Sequence, residues 1–126
     1  MVAMARQRAE KHGYAARCTF HQGYLDTLPD TGPFDCASSL LVSQFILDAR
    51  ERTAFFASIA QRLKPGGILA SSDLAADVGS QSYQDLLGVW LRTMAASDVA
   101  PDRVRQMQQA YARDVSILPP RGVEAI

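Results

Sequence analysis

Tryptophan, cysteine and net charge are all scarce in this chain: it has one Trp and two Cys, and 13 basic side chains balance 13 acidic ones. Each scarcity excludes something. A neutral balance supplies no global field to draw nucleic acid or an anionic membrane surface, so nucleic acid is disfavoured as a partner. Cys18 and Cys36 sit in apolar stretches and show none of the spacings of a zinc or redox site, so both are expected to be reduced and buried, with no metal bound. No apolar run reaches the ~18 residues of a spanning helix, and Met1 is not followed by a charged region, an apolar run and a cleavage site. The expectation is a cytoplasmic protein with no membrane partner. Internal repeats and low-complexity tracts are absent as well.

What is there reads as a globular chain. Hydrophobic residues at 48% and charged residues at 21% of 126 positions fit one domain over residues 1–126, of which 80–126 form a helical C-terminal part. Residues 2–12 carry Ala5 and Ala9 amid Arg6, Arg8, Glu10 and Lys11, a surface helix that Gly13 stops in the left-handed conformation. Residues 18–22 are rich in strand formers, and "LDTLPDTGPF" is a surface loop. Residues 34–40 are small and apolar almost throughout, as a parallel strand covered on both faces would be.

A helix pattern follows over about residues 50–63, with Phe55, Phe56, Ile59, Ala60 and Leu63 on one stripe. "KPGG" ends it, and "GILASSDL" is the next strand, apolar on entry and polar at its carboxyl end. After Gly79 two amphipathic helices recur, one marked by Tyr83, Leu86, Leu87, Trp90, Leu91 and Met94, the other by Val104, Met107 and Tyr111 after Pro101. Strands separated by helices of this length predict an α/β fold, a parallel sheet with helices on both faces. Ligands bind such sheets beyond the carboxyl ends of the strands. That rule points to residues 23–26, 39–44 and 71–74.

The run "FHQGYLDTLPDTGPFDCASSLLVSQFILDARERTAFFASIAQRLKPGGILASSDL" resembles the central part of class I S-adenosylmethionine-dependent methyltransferases. There a strand ending in a Gly-Asp-like pair leads through a loop to "FD" and an apolar strand, then a polar link, a helix, and "L-K-P-G-G" before the next strand. The resemblance implies a truncated Rossmann-like parallel sheet, a partial methyltransferase fold. It also implies that a strand, a glycine-rich loop, a helix and a second strand would precede "MVAMARQRAEKHG", and that "DVSILPPRGVEAI" starts the helix before the family's last strands. The chain is therefore expected to be truncated at both ends.

Further implications attach residue by residue. Gly23, Tyr24 and Leu25 match the turn beside the adenine ring of S-adenosylmethionine; Tyr24 stands where the family usually has an acidic residue, and Asp26 is its substitute. Ser39 and Leu40 match the strand end beneath the methionine part of the cofactor, and Gln44 with Phe45 stand where many relatives have two histidines. The resemblance implies methyl transfer to a small molecule or a modified nucleotide. Such transfer needs chiefly alignment and exclusion of water, so no catalytic residue is assigned. The alternative is a non-catalytic methyltransferase-fold remnant that serves as an oligomerising or binding module.

Plainer readings stand beside these. A tyrosine at a strand end more often packs its ring on a neighbour than stacks on a ligand. His21 has no partner at metal-ligand spacing, and His12 suits the C-terminal end of its helix. Ser71, Ser72 and Asp73 lack a nucleophile elbow and a base, so they are read as a polar strand terminus. The stripe of Tyr83, Leu87, Trp90, Leu91 and Met94 is core packing, or else a lid over a small acceptor. Finally, a sheet missing its middle strands exposes an apolar edge. Either residues 18–22 move inward to pair with 34–40, or two copies cover one another with Trp90 and Met94 on the exposed side; a homodimer is expected.

Overall fold

The computed structural model describes residues 1–97 and 99–125 and divides into two compact units, Met1–Gly32 and Pro33–Ile126. In the first unit, α1 (Val2–Lys11) is a surface helix with no buried residue. Gly13 stops it as predicted, at φ 74°. The Gly13 N–H donates to the Glu10 carbonyl at 3.1 Å and the Tyr14 N–H to the Ala9 carbonyl at 2.8 Å. This pair satisfies orphan carbonyls of the last turn, and the positive φ it demands carries no steric cost for glycine.

Residues 18–22, predicted as a strand, form none, and Cys18 is exposed rather than buried. Strand formers supply a preference for extended backbone but not a ladder partner. The segment settles for local contacts instead. The Arg6 guanidinium lies over the Phe20 ring at 4.9 Å from its centroid, His21 Nε2 and Thr27 Oγ1 share a hydrogen bond at 3.0 Å, and residues Leu25–Thr27 close a single 3-10 turn.

In the second unit, β1 (Phe34–Leu40) and β2 (Leu63–Ser72) pair in parallel. Among the described residues they make up a two-stranded sheet. A parallel pair needs a crossover, which α2 (Ala49–Ala60) supplies. Asp48 caps this helix by accepting from the Arg50 and Glu51 N–H groups, each at 2.9 Å. The helix stops at Ala60, earlier than predicted, and "KPGG" lies inside β2 rather than forming a turn before it.

The register shows how β2 accommodates a proline and two glycines. Phe34 faces Leu63 and Cys36 faces Ile68, so two steps along β1 correspond to five along β2. The surplus is a bulge, where a residue without an N–H is tolerated. Gly66 there has φ 79°, and a Cβ on Gly67 would stand 2.9 Å from the Lys64 carbonyl oxygen and 3.1 Å from that of Asp35.

Beyond the bulge the register pairs Cys36 with Ile68, Ser38 with Ala70 and Leu40 with Ser72. Alternation puts these six on one face, and that face is open: Cys36 is exposed and Ile68 is 70% exposed. The fold is thus α/β and partly Rossmann-like, but the predicted cover on both faces is missing, which is why Cys36 is not the buried residue its apolar neighbours suggest. The opposite face holds Ala37, half-buried, and Ser39, buried.

Three helices follow: α3 (Gln81–Ala95), capped by Ser80, α4 (Pro101–Asp114), with proline at its first position, and the short α5 (Pro120–Glu124). The Trp90 and Tyr111 rings meet with centroids 5.7 Å apart and planes at 53°. Trp90 and Met94 are consequently half-buried, not on the exposed side, where Leu86 and Val89 stand instead. Buried apolar side chains among the described residues are Ile59 on α2 and Val104 on α4. No helix among the described residues is long and apolar enough to cross a membrane.

Candidate functional site

At the carboxyl end of the two strands the backbone makes an abrupt change of direction. The Leu41 N–H donates to the Ser72 carbonyl at 2.6 Å, extending the ladder by one bond, while Leu41 itself sits at φ 56°. A left-handed leucine costs on the order of 1–2 kcal/mol, so its surroundings must hold it there. They do so through the 3-10 turn that follows, Ser43–Phe45, in which Ser43 and Gln44 are buried.

That turn is the centre of a polar knot. The Ser43 hydroxyl donates to Asp73 Oδ2, and the Gln44 N–H donates to Asp73 Oδ1 at 3.2 Å. The Leu74 N–H donates to Gln44 Oε1 at 2.9 Å, and the Ser116 N–H donates to the Gln44 carbonyl at 2.8 Å. One residue that is only 3% exposed therefore ties three segments together: the turn after β1, the end of β2, and the strand-like stretch before α5. The Ala76 N–H continues the last junction by donating to the Leu118 carbonyl at 2.9 Å.

Beside the knot lies a cavity of about 770 Å³, within the size range of small-molecule sites. The loop after β2 forms one wall with Leu74, Ala75, Ala76 and Val78. Tyr83, Leu86, Leu87 and Trp90 form a second, and Gln108, Tyr111, Ala112 and Val115 a third. Each of these two sets follows the i, i+3, i+4, i+7 spacing that puts side chains on one face of a helix. Among the described residues, none that lines the cavity carries a charge.

Of the residues that the sequence nominates for cofactor contact, Ser39, Leu40 and Gln44 lie at this end of the second unit, in different conditions. Ser39 is 4% exposed and its Oγ has no hydrogen-bond partner. Leu40 is exposed. Gln44 has its side-chain oxygen engaged by Leu74, so it shapes the strand end from beneath. Gly23, Tyr24, Leu25 and Asp26 belong to the first unit. There Tyr24 is 84% exposed, and its carbonyl accepts from the Thr27 hydroxyl at 2.8 Å. Asp26 is exposed and Leu25 half-buried. A Cβ at Gly23 would stand 2.5 Å from Thr27 Oγ1 and 2.8 Å from His21 Nε2, so those two side chains would have to turn aside and give up their shared hydrogen bond.

Sequence reasoning missed the structural work of Asp73, which reads in isolation as a strand terminator but accepts from both Ser43 and Gln44. Of the two readings of the aromatic stripe, core packing or a lid over a small acceptor, the structure places Tyr83, Leu87 and Trp90 on a cavity wall. No local signal marks the role of Asp73, since its partners are about thirty positions away along the chain. A family model described as a methyltransferase domain matches residues 1–67. No curated protein matches the chain. The cavity, built from residues 74–117, lies outside the matched region.

Proposed function

The chain belongs to the methyltransferase domain family, and from that premise we propose that it serves methyl transfer from S-adenosylmethionine to a small molecule or a modified nucleotide. The observation that carries the reading is the apolar cavity beside the carboxyl end of β1 and β2, where parallel α/β sheets place their ligands. The cofactor supplies an electrophilic methyl group on a sulfonium centre.

The residues present suit such a group at the strand end. The Ser39 hydroxyl, buried without a protein partner, retains a donor for a ligand or its bound water. Leu40 offers an exposed apolar surface to aliphatic and sulfonium atoms. For the first unit taken by itself, the resemblance assigns Gly23, Tyr24, Leu25 and Asp26 to the adenine, and the exposure of Tyr24 and Asp26 is compatible with that role. Gln44 acts as a positioning residue, since it holds Leu74 and Ser116, two parts of the cavity wall.

What remains for the protein is alignment of the reactants and exclusion of water. Asp73 is committed to Ser43 and Gln44 and is not assigned as a base. A second reading, a binding module without catalysis, is favoured by one observation: the polar side chain of Gln44 is spent on structure. Isothermal titration of the chain with S-adenosylhomocysteine separates the two. Affinity in the micromolar range is expected, and no heat at millimolar ligand would overturn the catalytic reading in favour of the binding module.

A further inference from the structure

We propose that the cavity between the loop after β2, α3 and α4 is a binding site for a neutral, flat, ring-bearing small molecule. That its occupant is the methyl acceptor rests on the functional reading above; the binding site itself does not.

Three observations select this chemistry. The volume of about 770 Å³ is far larger than a packing void and suits a molecule of two or three rings. The lining side chains among the described residues are all uncharged, so an ionic group entering it would lose its hydration without a counter-ion from them in exchange. Trp90 and Tyr111, with planes inclined at 53°, present aromatic surface from two helices at once, which a flat ring can meet edge-on or in offset stacking. The polar side-chain groups of the lining are those of Gln108 and Ser116, the hydroxyls of Tyr83 and Tyr111 and the indole N–H of Trp90, enough to orient a hydroxyl, carbonyl or amide on the ring but without a cation to hold an anion.

The test uses the full chain and two probes of one shape, naphthalene-2-carboxamide and the anionic 2-naphthoate, with binding followed by isothermal titration and by the emission of Trp90, the chain's single tryptophan. The carboxamide is expected to bind with a dissociation constant on the order of tens of micromolar, and the carboxylate at least about tenfold more weakly. Ala112→Phe fills the cavity from α4 and should weaken the carboxamide by about tenfold or more. Leu86→Glu, at an exposed position on the rim, tolerates the change structurally and should weaken the carboxylate further than the carboxamide.

Equal affinity for the two probes, or no binding of the carboxamide at millimolar concentration, would overturn the proposal. So would carboxamide binding that disappears as protein concentration rises and sedimentation shows a dimer, because the cavity would then be covered by a second copy. A parallel titration with S-adenosylhomocysteine keeps the two readings apart. Carboxamide binding without cofactor affinity upholds the site and refutes its role in methyl transfer; cofactor affinity without carboxamide binding overturns the site and supports the methyl-transfer reading alone.

Discussion

Replacing Gln44 by leucine probes the knot at the strand end with little change of volume. Gln44→Leu removes Oε1, the acceptor of the Leu74 N–H at 2.9 Å, and leaves the backbone bonds of residue 44 to Asp73 and Ser116 in place. The bond is part-buried, and a donor stripped of its acceptor there costs about 1–2 kcal/mol, the lower part of the range for a buried group. Gln44→Ala forfeits the same bond and opens a void as well, for a total of about 2–4 kcal/mol. Urea unfolding followed by Trp90 emission reads these costs in the unit that contains the knot, since Trp90 packs on Tyr111 there. With a urea dependence of roughly 1–1.5 kcal/mol per molar for a unit of this size, the midpoint of the leucine variant should fall by roughly 0.7–2 M, and that of the alanine variant further. Leu74 also lines the cavity, so the affinity for a neutral aromatic probe should drop together with stability. A Gln44→Leu midpoint within about 0.2 M of the parent would refute the reasoning, because the bond would then hold nothing.

Two other perturbations address the strand end and the open sheet. Ser39→Ala removes a buried hydroxyl that has no protein partner, so the urea midpoint should stay level or rise, by up to about 1 kcal/mol in stability, while affinity for S-adenosylhomocysteine falls; a loss of stability of that size would show that the hydroxyl is already satisfied within the fold. The uncovered face carrying Cys36, Leu40 and Ile68 is expected to be covered by a second copy of the chain, so sedimentation equilibrium should give a dimer at micromolar concentration and Ile68→Asp a monomer; a stable, folded monomer of the unaltered chain throughout would refute this.

The family was legible before any coordinates because its signature is a matter of order and spacing along the chain: "FD" before an apolar strand, a helix, then "KPGG". The candidate site was legible only in part. Ser39, Leu40 and Gln44 lie at the end of β1 where the sheet rule puts ligands, yet the sequence treats them as equivalent, whereas one is exposed and two are buried. Burial is a sum over neighbours distant in sequence, and periodicity carries no information about which of them arrive.

By itself the sequence determined the features set by the nearest few residues. Gly13 ends α1 because only glycine enters the left-handed cap without a steric cost, Pro101 opens α4 because its missing N–H has no partner to lose there, and the apolar spacings of α3 and α4 fix which sides of those helices seek cover. Tertiary structure decided the rest. Residues 18–22 have the side chains of a strand but no ladder to join; "KPGG" became a bulge because β1 supplied a partner on both sides of it; and Gln44 became a clamp because Leu74 and Ser116, one thirty positions away, brought their N–H groups to it. Local rules act over a turn or two of chain, whereas hydrogen-bond satisfaction and burial are settled only when segments far apart in sequence meet.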